Sequence, residues 1–344
     1  MRKVIVAPLN WGLGHASRCI PVIKALQKEQ LTPVIASDGA ALELLQKEFP
    51  KLESIELPSY KISYGKYLKW SLFKKIPVII KTIRREQRVI HQYLEKNNAV
   101  VGIISDNRFG VRSSDLPSVY ITHQINVKSG LLSPITRYFH QGIIKKFDEC
   151  WIPDDEDSRF SGELSLSKKL FNQKYIGVLS RLQKKDVKKT LDLLIVLSGP
   201  EPNRTQLEEK LIEKFYNSNL KICLVQGKIE PRETTVELGN LQMINFALTE
   251  KLEFLLNASK QVICRSGYSS VMDLITLGKS AILIPTKNQN EQEYLAQYLN
   301  KKGYFSMISE DRIVTQKFEV FDGLKAEIEN KEFDKNLFRL FHGK

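Results

Sequence analysis

The sequence predicts two doubly wound α/β domains in tandem, each a parallel sheet with helices on both faces. Short apolar runs recur, each followed by a segment long enough for a helix, which is the beat of βαβ units. That beat occurs twice, once from Val4 to about Thr122 and again from Asp192 to Pro285. With 344 residues the chain is also too long for one ordinary α/β layer set.

Taken in order, Val4 to Pro8 is a short apolar strand, Pro21 to Glu29 a helix, and Pro33 to Ser37 the next strand. After a long helical stretch, Val100 to Ser105 and Ser118 to Thr122 continue the pattern. The second copy has strands at 192–199, 221–225, 242–246, 262–264 and 281–285. The polar, basic stretch from Ser180 to Thr190 is the expected linker, so the domains are expected over 1–180 and 181–325. Phe333, Leu337, Phe338, Leu340 and Phe341 have near-helical spacing, so a helix over 326–344 is expected to pack back on the first domain, with His342 at its surface. Open α/β sheets bind ligands outside the carboxyl ends of their strands, which places the expected site in a central cleft faced by both glycine-bearing turns.

At 42% hydrophobic and 26% charged residues the chain can bury a core. No apolar run approaches the roughly 20 residues that cross a bilayer, and the N-terminus opens directly into a strand, so an intracellular protein is expected. Cys19, Cys150, Cys223 and Cys264 stand far apart among apolar neighbours, without metal-ligand spacing, and read as core residues. The net charge of +13 favours an anionic partner: nucleotide, nucleic acid or an acidic membrane surface.

Val262 to Leu274 is the most informative stretch, because it reads as a buried strand that turns through Ser266-Gly267 straight into a helix. The first N–H groups of such a helix have no acceptor within it, and the dipole adds about half a positive charge, so a phosphate over Ser266 to Ser270 is stabilised. Asp273, about two turns in, is within reach of a sugar hydroxyl. Asn10 to Arg18 follows the first strand and presents His15 behind Gly12 and Gly14 at a helix start. It is not the dinucleotide fingerprint, since Ser17 stands at the third glycine position, and His15 is the leading candidate for a group that titrates near neutral pH.

Gly12-Leu13-Gly14-His15, Cys264-Arg265-Ser266-Gly267, Asp273, Gly278 and Gln292 together resemble the GT-B glycosyltransferases of family 28, whose best-known member adds N-acetylglucosamine to a peptidoglycan lipid intermediate. The resemblance implies that Asp273 accepts hydrogen bonds from ribose hydroxyls, in place of the usual glutamate. It implies that Ser266, Gly267, Tyr268 and Ser269 hold the diphosphate, with Gly14 on the same donor side, and that Phe246 covers the uracil. Gln292 and Glu293 match a Gln-Gln pair that reads the donor sugar, with Glu293 a departure. Ser198-Gly199-Pro200 stands where the family has a phosphate loop; prolines 200 and 202 remove N–H donors there, and Arg181 or Arg265 is expected to supply the missing charge. Thr122 to Asn126 resembles the acceptor-side segment, which places His123 and Asn126, with Gly12, at the acceptor.

The reaction so implied is an inverting transfer, without a metal or other cofactor, from a UDP-sugar, with N-acetylglucosamine as the candidate sugar. His15 is the first candidate base and Asp106 the second. The expected acceptor is a lipid-linked or cell-envelope glycan. Basic residues alternate with Tyr64, Tyr67, Trp70, Phe73 and aliphatic residues from Tyr60 to Arg88, which suits peripheral binding at the anionic inner face of the cytoplasmic membrane. No motif for nucleic acid accompanies the charge. Gly14-His15-Ala16-Ser17-Arg18-Cys19 also resembles the Gly-His-x-x-Arg-Cys turn of the nucleotide-sugar hydrolase of pseudaminic acid synthesis, so a hydrolase is the first rival reading and a non-catalytic scaffold subunit the second.

Overall fold

The computed structural model describes residues 1–60, 68–127, 133–166, 172–317, 333–334 and 336–343, with backbone alone over 68–76 and at 135. It divides into two compact units, one of Met1–Trp11, His15–Leu179 and Lys331–Lys344, the other of Gly12–Gly14 and Ser180–Asn330.

The first unit contains β1 (Lys3–Pro8), α1 (Gly14–Lys28), β2 (Thr32–Ser37), α2 (Gly39–Glu48), β3 (Ser54–Glu56), α3 (Leu68–Glu95), β4 (Val100–Asp106), β5 (Ser118–Ile121), α4 (Ser133–Ile144), β6 (Glu149–Ile152) and β7 (Gln173–Tyr175). Its strands form one parallel sheet in the order β3-β2-β1-β4-β5-β6-β7. The central strands are apolar on both faces because helices cover both, and Val4 to Ala7 have no exposed surface. Ile5, Val34, Ile103 and Ile90 of α3 share one core cluster.

The second unit contains β8 (Leu191–Val196), α5 (Asn203–Phe215), β9 (Ile222–Val225), β10 (Thr235–Leu238), β11 (Leu241–Ile244), α6 (Thr249–Ala258), β12 (Ser259–Cys264), α7 (Tyr268–Thr276), β13 (Ala281–Leu283), α8 (Asn290–Lys301) and β14 (Ser306–Met307). The sheet order is β10-β11-β9-β8-β12-β13-β14, and only β10 runs antiparallel to its neighbour. No described helix is long and apolar enough to cross a membrane.

Two expectations are corrected. The first helix begins at Gly14, so Pro21 lies inside it. Ile20, Val22 and Ile23 around the proline are wholly buried, and that packing outweighs the backbone donor it removes. At the C-terminus the described residues form turns and a short 3₁₀ segment, Arg339–Phe341, instead of an α-helix. Phe338 and Phe341, three residues apart as suits that tighter period, both meet Trp151 of β6 edge-on at 5.8 and 6.4 Å. Gly102 of β4 makes room for this: a Cβ there would lie 2.1 Å from the Phe341 ring.

A buried ion cluster ties α3 to the sheet. Arg108, without exposed surface, pairs with Asp38 beyond β2 and with Glu86 of α3 at 2.7 Å, and it donates to the Pro8 carbonyl at 3.0 Å. Glu86 also accepts from Tyr60 at 2.5 Å and from the Gly110 amide at 3.0 Å.

Arg108→Met strands two buried carboxylates, and urea unfolding is expected to show a loss of about 3–5 kcal/mol. Phe341→Ala is expected to cost about 3–5 kcal/mol in the same measurement, because it empties the space between Gly102 and Trp151.

Candidate active site

In each sheet the strand order reverses once in the middle, between β1 and β4 in the first unit and between β8 and β12 in the second. Loops at the carboxyl ends of such strands diverge to opposite faces and leave a crevice. His15 follows β1 and Asp106 ends β4; Ser198 and Gly199 follow β8, and Arg265 to Gly267 follow β12.

In the first unit the parallel register sets Pro8 beside Asp106 and Asp106 beside Ile121. The chain leaves β1 through Gly12, whose φ of +76° is costly for other residues, and enters α1 at Gly14. His15 then falls in the first helical turn and Arg18 one turn further on the same face. His15 Nδ1 lies 2.9 Å from Asp106 Oδ1. The Arg18 guanidinium forks onto Asp106, with Nε 2.6 Å from Oδ2 and Nη2 on Oδ1. It also reaches His15 Nδ1 at 2.9 Å and His123 Nδ1, beyond β5, at 2.7 Å. The His15 side chain keeps 14% of its surface exposed; those of Arg18 and Asp106 keep 2% and none.

The electrostatics assign the roles. Burial pushes the Asp106 carboxyl up, but the Arg18 charge and His15 outweigh it and hold the group well below the usual carboxylate range. Asp106, expected as the second candidate base, therefore stays ionised and takes no proton at neutral pH. In the tautomer whose Nδ1–H donates to Asp106, Nε2 is the basic atom, and Arg18 Nη2, which can only donate, is a close neighbour of Nδ1 and not its hydrogen-bond partner. Guanidinium donates only, so His123 Nδ1 is an acceptor. His123 is buried at 4% exposure, and the Asn126 side chain donates to the Glu163 and Leu166 carbonyls at 2.8 and 2.7 Å. Both residues, expected on the acceptor side, have intraprotein partners in this structure. Behind them His140 sits 3.2 Å from the Tyr120 hydroxyl, and burial, aided by His123, pushes it down to about 4. Burial also raises the Cys19 thiol, so it is no nucleophile, and all four cysteines are buried and unbridged.

In the second unit Gly267 caps α7 in ordinary extended backbone, and a Cβ there would touch nothing within 4 Å. The expected side-chain contacts are differently disposed. The Ser266 hydroxyl donates to the Gln292 carbonyl at 2.8 Å, the Gln292 side chain accepts from the Thr286 amide at 2.9 Å, and Glu293 accepts from the Asn288 amide at 2.9 Å. These bonds fasten the turn to the loop before α8; the first-turn backbone N–H groups of α7, with half-buried Gly267 and Ser269, have no acceptor within the helix. Tyr268 and Phe246 are buried at 4% exposure.

Arg265 is a further correction. It is buried, pairs with Glu310 at 2.8 Å and donates to the Asn203 carbonyl at 3.0 Å, so its guanidinium holds the unit together and is not available to a phosphate. Arg181 remains: it is half-buried, reaches Thr249 at 3.4 Å and acts on Asp273 electrostatically. Asp273, expected to accept from a ribose, accepts from the Ser180 hydroxyl at 2.5 Å. Burial pushes its carboxyl up to about 6, against the pull of Arg181 and Ser180. Ser198 and Gly199 are half-buried, Gly199 with a φ of +108°.

Of the basic, aromatic segment over 60–88, residues 61–67 and the side chains of 68–76 lie outside the described residues. Tyr60 is buried on Glu86. Val78 and Ile80 are 49% and 44% exposed, and Lys81, Arg84, Arg85 and Arg88 are exposed beside them.

Residues 170–337 match the glycosyltransferase family 28 C-terminal domain. An uncharacterised glycosyltransferase of Methanosarcina mazei is 22% identical, with 98% of this chain and 93% of the relative covered. The UDP-N-acetylglucosamine--N-acetylmuramyl-(pentapeptide) pyrophosphoryl-undecaprenol N-acetylglucosamine transferase of Alkaliphilus metalliredigens is 24% identical over 87% of this chain and 83% of its own. Among solved structures, the kitacinnamycin glycosyltransferase superposes with a TM-score of 0.62 at 13% identity over 91% of this chain and 88% of that one. MurG of Acinetobacter baumannii superposes with a TM-score of 0.54 at 14% identity over 90% and 87%.

The raised Asp273 pKa carries a stability signature. Between about pH 4 and 6 the folded chain binds the proton more tightly than the unfolded one, so this contribution to stability is present at low pH and lost as pH rises through 6. Asp273→Asn is expected to raise stability at pH 7 by about 2 kcal/mol and to flatten that part of the pH profile in chemical denaturation.

Proposed function

We propose, for a chain that is a GT-B glycosyltransferase of the family 28 type, an inverting, metal-independent transfer of a sugar from a UDP-sugar to a lipid-linked or cell-envelope glycan. The observation that carries this reading is the His15–Asp106–Arg18 cluster at the switch point of the first sheet. His15 Nε2 takes the proton of the attacking acceptor hydroxyl, while Asp106 fixes the ring and its tautomer. The amides of the α7 first turn and Arg181 balance the charge of the departing diphosphate without a metal. Asp273 accepts from the ribose in place of Ser180.

The name of the Alkaliphilus relative supplies N-acetylglucosamine as the candidate sugar and an undecaprenol-linked acceptor as the candidate class. The exposed Val78 and Ile80 beside four basic side chains suit attachment to the anionic cytoplasmic face of a membrane, where each basic group adds about 1 kcal/mol.

The hydrolase reading rests on Arg18: the guanidinium clamp on Asp106 is the arginine of the Gly-His-x-x-Arg-Cys turn, and the cluster can activate water as it would a hydroxyl. Calorimetric titration with a panel of UDP-sugars in EDTA, with UDP release followed in the same samples, separates the two. Binding with release only on addition of an acceptor is expected. Rapid release into water points to the hydrolase, and an absence of binding removes the UDP-sugar assignment.

His15→Ala is expected to lower kcat by about 10²–10⁴-fold with the Kd for UDP within twofold of the parent protein. Full turnover in that variant would remove His15 from the mechanism.

A further inference from the structure

A second concentration of charge lies within the second unit, at the edge of the sheet opposite the α7 turn. Because β8, β12 and β13 are parallel, their starts share one edge. Lys189 precedes β8, Lys279 precedes β13, and β12 opens at Ser259. Lys279 is 7% exposed and donates to the Ser259 carbonyl at 2.7 Å and to the Asn257 carbonyl at 3.4 Å. Lys189 donates to that same Asn257 oxygen at 2.6 Å, so two ammonium groups converge on one carbonyl. They border a cavity of about 260 Å³, together with Lys184, Lys185, Asp186 and Gly278.

The charges do not cancel. Lys185 is matched by Glu253 at 2.5 Å, and Asp186 offsets one more. Among the described residues no carboxylate pairs with Lys184, Lys189 or Lys279, which leaves an excess of up to two positive charges, the second of them dependent on the protonation of Lys279. The carbonyls of Asn257, in the last turn of α6, and of Ser259, its C-cap, orient the ammoniums, but a helix C-terminus contributes only about half a negative charge. Burial, then the neighbouring Lys189, pushes Lys279 down to about 7, the direction expected of an amine crowded by like charge. The cavity lies just under the roughly 300–1,000 Å³ of sites for drug-sized ligands and holds about nine water volumes, a size that suits a small anion. Six residues of β12 separate it from the donor turn, about 20 Å.

We propose that this cavity is a binding site for a small phosphate-bearing group, phosphate or diphosphate, held by Lys184, Lys189 and Lys279 and separate from the donor turn. Lys184 and Lys189 are exposed, so Lys184→Met/Lys189→Met leaves the core intact. The test is calorimetric titration of the full chain with inorganic diphosphate, for the parent protein, this double variant and Asp273→Asn. In the double variant one binding event is expected to weaken at least tenfold, with Asp273→Asn retaining it. A donor turn that also binds diphosphate shows as a second event that survives in the double variant, and failure of the donor reading shows only as its absence. A parallel arm uses phosphatidylcholine vesicles with and without phosphatidic acid. Lysine-dependent retention on the acidic vesicles, without a lysine-dependent event in solution, assigns the phosphate to a lipid headgroup. Equal diphosphate titrations and equal vesicle retention for the parent and the double variant would overturn the proposal.

Discussion

A carboxylate with no access to water ends β4, and the first unit is arranged around the need to keep it charged. An isolated buried ion costs several kcal/mol, so Asp106 demands a partner of opposite charge with good geometry. Arg18 supplies it through two hydrogen bonds, and this fixes where α1 must begin, which in turn places His15 one turn earlier over the same carboxylate. The free end of that guanidinium is spent on His123, so β1, β4 and β5 are tied at their carboxyl ends by one cation. Asn107, in the left-handed region with φ of 58°, then turns the chain so that Arg108 serves a separate set of anions, Asp38 and Glu86. One three-residue turn thus sends a negative charge toward the helix that carries the candidate base and a positive charge toward the helix that braces the sheet.

The second unit answers a different electrostatic demand. On the proposed reading a diphosphate brings its own charge to the α7 turn, and a permanent cation cluster there would repel itself in the free protein. Backbone amides at a helix start avoid that cost, since their partial charges are fixed by the fold and need no counter-ion. This is consistent with Arg265 being drawn inward to Glu310 and with the serine and glutamine side chains bracing loops. The lysine cavity at the opposite edge follows the other course, with side-chain cations that converge on the Asn257 carbonyl.

Most of the sheet architecture was legible because parallel strands buried on both faces leave unbroken apolar runs, as at Val4 to Ala7 and Leu193 to Ile195. The strands that escaped detection include β3 and β10, whose residues are mostly exposed and carry no apolar signal. The start of α1 was hidden by Pro21, a local rule that burial of its neighbours overrode. Within the candidate site, His15 and the turn after β12 were visible as local motifs, whereas the partnership of His15 with Asp106 depends on the register of Pro8 against Asp106, which no local pattern encodes. Arg18 had a signal, its three-residue spacing from His15, but spacing alone could not say that it would face inward. Arg265 misled for the same reason: position beside a phosphate-binding turn says nothing of which way a long side chain points.

The geometry also bears on what the cluster can do in a reaction cycle. With a neutral imidazole, His15, Arg18 and Asp106 carry no net charge; after proton uptake they carry one positive charge that nothing within the trio cancels. Asp106 is already saturated by Arg18, so it steadies the ring more than it stabilises the imidazolium. If His15 is the base, as proposed, it must pass its proton on before the next turnover, and its side chain keeps exposed surface that Asp106, wholly enclosed, lacks. On the proposed reading, this pairing of an enclosed carboxylate with a ring that keeps a face to solvent suits proton transfer from an acceptor hydroxyl or from water alike. The distinction between transferase and hydrolase therefore resides in what reaches His15 Nε2, and not in the groups that hold it.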